Sequence, residues 1–209
     1  RKDNAAFRQK IDELQLEAHK IRAKISAIDA LLQAALGKEK ETTQNWLAEN
    51  GLENATRMGE LIDSDPKWSQ AVEMVLGDYI EAVEVSSLEQ HGTALKALEK
   101  GEILLFEKNT SISQQQPFGA QTLWSVVQAP DSVRHMLDSV LLADTFEQAV
   151  VMRQKMGEKQ TVITPEGLWF GKQWIRATRE AEEHVGVLNR QQERDQLEQQ
   201  LQNLVERTA

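Results

Sequence analysis

The sequence predicts an α/β domain built as two subdomains with a pseudo-repeat, flanked by two helical arms that pair as an intramolecular antiparallel coiled coil. Three observations support this fold class: a heptad seam at the start of the 209-residue chain, a helical tail at its end, and a strand-helix-strand passage that occurs twice between them. The expected ranges are an arm over 1–37, a central domain over 38–183 with subdomains at about 45–115 and 120–180, and an arm over 184–209.

The first arm has apolar residues in alternating steps of four and three. Its predicted seam includes Ile11, Leu14, Ile21, Ile25, Ile28 and Leu32, separated mostly by charged residues or Gln. This spacing is typical of a coiled coil, whereas a helix that packs on a globular core usually has a wider apolar stripe. Neither Gly nor Pro interrupts the seam before Gly37, which can supply a left-handed C-terminal cap.

The second arm continues the same spacing through Leu197, Leu201 and Leu204. Its register, extended backwards, puts Arg190 and Arg194 on the seam, where apolar residues are expected. Helices of this length need a packed face to be stable, which favours pairing of the two arms with each other. Because both arms flank one domain, they must run antiparallel.

The first unit of the repeat is predicted from Asp65 to Glu107. Asp65 is a candidate N-cap and Pro66 suits the first helical position, which gives a helix that ends at Gly77. The sequence "YIEAVEV" then predicts a strand, Ser87 a capped helix to about Lys100, and "EILLFE" a second strand.

The second unit repeats this order. A helix and the strand "VLLA" precede Thr145, which is expected to cap a helix, and "TVIT" follows as a strand. Both units share a Ser/Thr cap, a Glu-Gln pair and a Gly-Glu end. Any strand-helix-strand passage can show some of these features, but the matched set favours a true repeat. The Gln-, Ser- and Gly-rich stretch between the units predicts a loop.

An aromatic stretch, "LWFGKQWI", follows the second unit between residues 168 and 175. It is either a sheet edge for another subunit or an internal strand of its own sheet, and the residues leave both interpretations open. The basic residues next to it form a candidate strip for nucleic-acid phosphates, with a solvated junction as the alternative; the strip consists of Lys172, Arg176, Arg179 and Arg190. Trp169 or Trp174 could stack on unpaired bases.

Composition and motifs argue against several other functions. The net charge of −9 does not fit a surface built throughout for nucleic acid, and the absence of Cys excludes disulfides and cysteine metal sites. No phosphate-binding loop, nucleophile elbow or metal-type His spacing occurs, so the sequence predicts no catalytic residue, metal or cofactor in this fragment. No stretch approaches the roughly 18 apolar residues of a membrane span. The opening "RKDNAAF" indicates that the fragment lies inside a longer protein.

The order of coil, two-part domain and coil resembles the hinge of bacterial SMC (structural maintenance of chromosomes) proteins. The most specific passage is A-V-E-x-x-L-G at 71–77, and the passages "SVLLADTFEQAV", "TVITPEGLWFGKQWIR" and "GVLNRQQERDQLEQQL" occupy matching places. One departure concerns the adjacent glycines that usually follow this strand pair in the family, since only Gly171 stands here. The resemblance therefore leaves the tightness of dimerisation and DNA contact at this place open.

The resemblance implies a homodimerising hinge of a chromosome-organising, condensin-type ATPase. ATP would be hydrolysed in head domains outside this fragment, kleisin and accessory subunits would join the full-length complex, and the protein would act on DNA in the cytoplasm, at the nucleoid. Strand "EILLF" of one copy would lie beside "LWFGKQWI" of the other, and the implied interface comprises Ile103, Leu104, Leu105, Phe106, Gly167, Leu168, Trp169, Phe170, Gly171 and Trp174. Two alternatives are a nucleic-acid-binding module without stable dimerisation and a stand-alone regulatory enzyme with helical arms.

Overall fold

The computed structural model describes residues 2–38, 40–107, 121–177 and 186–208. Helix α1 (Lys2–Ala35) and helix α7 (Val187–Thr208) form the two arms. They run antiparallel, because Arg194 near the start of α7 contacts Asp29 near the end of α1, whereas Leu204 lies beside Leu14. The predicted fold class, an α/β domain flanked by an antiparallel coiled coil, is confirmed.

The two arms pack through apolar side chains from both helices. The buried ones include Ile21, Ile28, Leu32, Leu197 and Leu204, with Leu14, Ile25 and Leu201 partly buried against them. Gly37 ends α1 with a φ of +66°, and the amide of Lys38 donates to the carbonyl of Gln33 at 3.0 Å. This is the left-handed cap that the sequence predicts.

The first unit contains short elements. After α2 (Glu41–Glu49), the chain forms β1 (Asp63–Ser64), α3 (Ser69–Leu76), β2 (Val83–Val85), α4 (Gly92–Lys96) and β3 (Leu105–Glu107). β2 and β3 are parallel, and β1 pairs with β4 (Val127–Gln128), which comes later in the chain. Helix α2 was not predicted, since no cap or glycine marks its start.

Three boundaries in this unit differ from the prediction. Helix α3 begins at Ser69 because the carboxylate of Asp65 accepts the amide of Lys67 and holds the preceding residues in a turn. The predicted strand over 79–85 is shortened, since residues 77–81 form a 3₁₀-helix. The hydroxyl of Ser87 bonds the carboxylate of Glu89 rather than a backbone amide, so the helix predicted there is only a 3₁₀ turn followed by α4.

The second unit follows its prediction closely. It contains α5 (Arg134–Leu137), β5 (Val140–Leu142), α6 (Phe146–Lys155), β6 (Thr161–Ile163), β7 (Trp169–Phe170) and β8 (Ile175–Arg176). The hydroxyl of Thr145 accepts the amide of Gln148 at 3.2 Å and caps α6. The sheet order is β5-β6-β7-β8, with β5 and β6 parallel and the last two strands antiparallel. Each unit therefore contains one parallel strand pair joined by a helical connection.

The arms and the domain share one main hydrophobic core. It includes Leu36 at the end of α1, Leu188 at the start of α7, and Val72 and Leu76 of α3. A smaller core between α6 and the second sheet includes Ala149, Val162 and Phe170. A third surrounds Trp46, Leu47 and Val83 beside β2 and β3. Because the main core includes both arms, their exit from the domain is fixed by packing.

Candidate interface: two sheet edges and the coil junction

Strand β7, within the predicted aromatic edge, is an internal strand. It pairs with β6 on one side and with β8 on the other. Phe170 is fully buried in the small core beneath α6, and Trp169 packs against the main core. The prediction that Trp169 and Phe170 form an edge strand is therefore wrong, and the alternative of an internal strand in the chain's own sheet is right.

Strand β8 forms an edge of this sheet in the described part of the chain. A tight hairpin leads into it, in which the amide of Gly171 donates to the carbonyl of Trp174 at 2.9 Å. Trp174 and Ile175 are 46% and 50% exposed, which places two large apolar side chains on and beside this edge. These two residues present more apolar surface to solvent there than Trp169, which is half-buried, or Phe170, which is fully buried.

Gly171 is required by the ring of Trp174. A Cβ at Gly171 would lie 2.1 Å from the indole, so only a glycine lets the ring cover the backbone. The same indole meets Trp169 edge to face, with ring centroids 5.5 Å apart. Gly171 therefore lets the aromatic pair pack at the hairpin.

Strand β3 is the edge of the first unit, since it pairs with β2 alone among the described strands. Ile103 and Leu104 precede the strand and are half-buried, as is Leu105 within it. Phe106 is buried in the main core. The predicted strand over 102–107 is thus reduced to its last three residues, and its half-buried apolar side chains lie at and just before the open edge.

Two further predicted interface residues lie beneath the surface or on its border. Gly167, with a φ of +75°, is buried in the turn between β6 and β7, where a Cβ would lie 3.1 Å from the methyl group of Met74 on α3. Leu168 is half-buried against the small core. Gly167 therefore positions the turn against α3 and offers no surface to a partner.

The basic residues of the predicted strip lie on different elements. Lys172 is exposed in the hairpin turn, where its carbonyl accepts a hydrogen bond from Arg153 at 2.9 Å, and Arg176 is exposed on β8. Arg190 is half-buried in the first turn of α7. Lys172 therefore lies in a turn and Arg176 on a strand, so the two do not share one strand. Arg179 lies outside the described residues.

A buried carboxylate joins the return arm to the domain. Glu73 of α3 is 3% exposed and accepts the backbone amides of Gly186 at 2.6 Å and of Leu188 at 2.7 Å. These amides open α7 and have no acceptor within the helix, so the carboxylate caps it and also offsets the helix dipole. Glu73 belongs to the A-V-E-x-x-L-G passage, but its position on a buried helix face gave no sign of its partner.

Side chains of α7 extend the junction along the domain. Gln191 donates to the carbonyl of Glu60 at 3.1 Å, and Gln192 donates to the carbonyl of Ser64 at 2.6 Å. On the other arm, Lys38 forms an ion pair with Glu60. Both arms are therefore attached to the segment that precedes α3 by hydrogen bonds as well as by packing.

The described residues contain no cluster of His, Cys, Asp and Glu suited to hold a metal ion. Among those same residues, no helix has the length and apolar character of a membrane span.

A domain that holds both ends of an antiparallel coiled coil, with two strand edges that no other described strand covers, has the architecture of a coiled-coil hinge. Residues 53–153 match the family model for the SMC proteins flexible hinge domain. Together with the relatives below, this match shows that the chain belongs to the SMC hinge family.

The chromosome partition protein Smc of Coxiella burnetii is 33% identical over 82% of this chain, and that of Methylococcus capsulatus is 28% identical over 89%. The chain spans 15% and 16% of these two relatives' lengths.

Solved structures show the same fold. An asymmetric dimer of the Geobacillus stearothermophilus SMC hinge domain gives a TM-score of 0.62 at 17% identity, covering 98% of this chain and 93% of that one. A Pyrococcus furiosus Smc hinge domain with an extended coiled coil gives 0.50 at 15% identity, covering 99% and 79%.

Proposed function

We propose that this chain is the homodimerisation hinge of an SMC-type chromosome-organising ATPase. Two copies join edge to edge, so that β3 of each copy lies beside β8 of the other and a two-fold pair of contacts closes the dimer. The observation that supports this most directly is the pairing of an open strand edge with large exposed apolar side chains at Trp174 and Ile175. An edge of this kind is normally covered in a folded protein.

The experiment is the replacement of Ile175 by Glu, with molar mass measured by sedimentation. A charge on this edge should convert a dimer to a monomer without unfolding it, because the side chain is half exposed. Val151→Glu on α6 is the matched control, since Val151 is 52% exposed and lies on no strand edge. A dimer that survives Ile175→Glu, or a wild-type chain that is monomeric at high concentration, contradicts the proposal.

Charged replacement of Trp169 and Phe170 is a less suitable test. Phe170 is fully buried, so a charge there should unfold the small core regardless of dimerisation. Loss of the dimer in that variant would not separate an interface defect from a folding defect.

The proposal extends to the whole protein, and the similarity to chromosome partition proteins supports this extension. ATP hydrolysis in head domains, kleisin and accessory condensin subunits, and action on chromosomal DNA at the nucleoid are expected of a full-length chromosome partition protein. The hinge contributes no chemistry to this scheme and acts mechanically, by joining two arms. Sequencing of the flanking regions tests it, since a phosphate-binding loop should be encoded upstream.

DNA contact at the hinge is a second proposed function. Exposed cations at Lys172 and Arg176 on the β7–β8 hairpin favour it, and the exposed ring of Trp174 lies between them in sequence. Charge reversal of Lys172, Arg176 and Arg190 together should weaken salt-sensitive binding of single-stranded DNA, measured by fluorescence anisotropy. Binding that is unaffected by the triple reversal contradicts this function. Binding by a chain that stays monomeric would favour the alternative of a nucleic-acid module.

A further inference from the structure

Asn50 and Gly51 form the turn in which helix α2 ends. Gly51 has a φ of +70°, and a Cβ at this position would meet no atom within 4 Å, so the space beside it is open. Asn50 is half-buried and Gly51 is exposed. In the whole sequence, no other asparagine precedes a glycine. Nothing in the proposed hinge function uses this pair.

An asparagine that precedes a glycine can react with its own backbone. The amide nitrogen of the glycine loses its proton and attacks the side-chain Cγ of the asparagine; a C–N bond forms, and the side-chain nitrogen takes up a proton and leaves as ammonia. Water then opens the cyclic imide at one of its two carbonyls, which gives aspartate or isoaspartate. Glycine favours ring closure because it has no Cβ to obstruct the approach and its backbone reaches conformations closed to other residues. Water is the only co-reactant.

In the folded chain, hydrogen bonds and backbone geometry keep the two reacting groups apart. The amide of Gly51 donates to the carbonyl of Ala48 at 3.1 Å, which holds the proton that must be lost. The side-chain nitrogen of Asn50 donates to the carbonyl of Trp46 at 2.8 Å, which holds the carboxamide against the last turn of α2. Asn50 has a ψ of 9°, so the nitrogen of Gly51 is turned away from the Cβ of Asn50, beside which ring closure requires it. The turn must therefore open before the imide can form.

This turn lies at the outer border of the third core. Trp46 and Leu47 anchor α2 in that core, whereas Ala48 and Gly51 are exposed. The amide of Leu52 donates to the carbonyl of Leu47 at 2.7 Å and closes the turn. Exposed backbone hydrogen bonds at the end of a helix open at a lower free-energy cost than the whole fold. Local opening is thus the least costly way to bring the pair into a reactive geometry.

We propose that Asn50 and Gly51 form a deamidation site whose reaction is gated by local opening of the end of α2. Native packing slows the reaction, and each opening of the turn gives the pair an opportunity to form the imide. Hydrolysis leaves aspartate or isoaspartate in place of Asn50. The site does not depend on dimerisation.

The reaction weakens the end of α2. The new carboxylate has no N–H to donate to the carbonyl of Trp46, and its charge lies at the negative end of the helix dipole. Isoaspartate also adds a methylene to the backbone, which disrupts the turn. Trp46 and Leu47 share the third core with Val83 and with Leu105 of β3. Loss of this helix end therefore loosens the support beneath the open edge of β3.

The experiment compares the native protein with the same protein unfolded in guanidinium chloride, both incubated at the same alkaline pH and temperature. Peptide mass spectrometry measures the conversion of Asn50 from the mass change when NH₂ is replaced by OH. We expect the native protein to react roughly tenfold more slowly or less, because the hydrogen bonds of both reacting groups must open first. Equal rates, or no reaction of Asn50 in the unfolded chain, would overturn the proposal. Asn54, which is exposed and precedes Ala55, is the internal control and should stay largely unconverted in both samples.

Two core variants test whether the gate is local. Leu47→Ala removes a fully buried side chain of α2, so the turn should open more often and native deamidation should accelerate roughly tenfold or more. Leu137→Ala removes an equally buried side chain from the main core and should leave the rate near that of the wild type. Equal acceleration in both variants would show that only global unfolding exposes the pair, and no acceleration in either would show that the turn is not the gate. Each of these two results would overturn the proposal.

Hydrogen exchange of the wild-type protein measures the same opening without a substitution. The amides of Gly51 and Leu52 should exchange faster than the amide of Val72 in α3, which donates to the carbonyl of Trp68 inside the main core. Equal protection of the three amides would contradict local opening of the turn.

The substitution Asn50→Asp reproduces one product of the reaction directly. We expect its melting temperature to fall by about 2–4 °C, the shift typical for the loss of one hydrogen bond in a chain of this size. Asn54→Asp, at an exposed position beyond the helix, is the control and should melt close to the wild type. An unchanged melting temperature in Asn50→Asp would overturn the inferred effect on α2.

Discussion

Gly59 sets the distance between the first arm and the domain. A Cβ at this position would lie 2.7 Å from Leu36 at the end of α1 and 2.8 Å from the buried side chain of Ile80. We expect Gly59→Ala to lower the free energy of unfolding by about 1–3 kcal/mol, because the tightly packed neighbours must move apart. Urea unfolding followed by circular dichroism measures this.

Gly92→Ala is the control for that substitution. Gly92 has helical φ in α4, and a Cβ there meets no atom within 4 Å. The variant should be unchanged or more stable by about 0.4–1 kcal/mol, since alanine reduces the entropy of the unfolded chain. Equal losses in both variants would contradict the role given to Gly59.

The aromatic stretch at 168–175 shows how a pattern of residues in the sequence can mislead. The residues of the aromatic stretch differ in their roles: Phe170 is a core residue, Trp174 covers Gly171, and Ile175 is exposed at the edge. The two strands contain two residues each, too few for the alternation of apolar and polar positions to appear. Only the sheet order reveals which of them is the edge.

At the scale of elements, helix α6 has a side-chain cap at Thr145, whereas the helical turn after Ser87 has none. Thr145 caps α6 through its hydroxyl, so Thr145→Ala should cost about 1 kcal/mol of stability. Ser87→Ala should cost much less, because the exposed Ser87 hydroxyl bonds only the side chain of Glu89. Thermal unfolding of both variants checks this, and equal losses would contradict the assignment of the cap to Thr145 alone.

The attachment of α7 depends on Glu73. Glu73→Gln leaves one acceptor where two amides now bind, so we expect a loss of about 1–3 kcal/mol from the unsatisfied buried donor. Glu193→Gln is the control: Glu193 is exposed on α7, and the substitution should have little effect on stability. Hydrogen exchange of the Gly186 and Leu188 amides shows whether the lost bond causes the loss of stability. Unchanged protection of both amides in Glu73→Gln would contradict this explanation.

The predictable elements are those with a long or repeated signal. The heptads predict the arms, and the cap at Thr145 with its two flanking apolar strands predicts β5, α6 and β6. Helix α2 and the 3₁₀-helix at 77–81 were missed because tertiary packing decides them: Leu47 and Ile80 are buried, but neither segment has its own cap motif or a clear period. The hydrogen bond between Glu73 and the amide of Gly186 joins residues that are 113 positions apart, so no local sequence pattern could predict it.

At the scale of the whole molecule, an ion pair between Arg194 and Asp29 joins the arms. Arg194 contacts Asp29 at 2.7 Å and also bonds Glu198 on its own helix, and these carboxylates raise the pKa of Arg194. Asp29→Asn should lower stability by about 0.2–1 kcal/mol at low salt, because the pair is partly exposed. The difference should vanish at high salt, and thermal unfolding at two salt concentrations measures it. A loss that is independent of salt would show that packing, and not charge, is affected.

Glu73 places α3 in the path along which a mechanical load would travel. One side of this helix grips the start of the return arm through the carboxylate, and Met74 on the next position contacts the turn at Gly167 that leads into β7 and the outer strand. A pull or a twist applied far along the arms therefore reaches α3 as well as the segment that precedes it. In the proposed dimer, tension in the arms would reach the β7–β8 edge through the eight residues of this helix and the turn at Gly167.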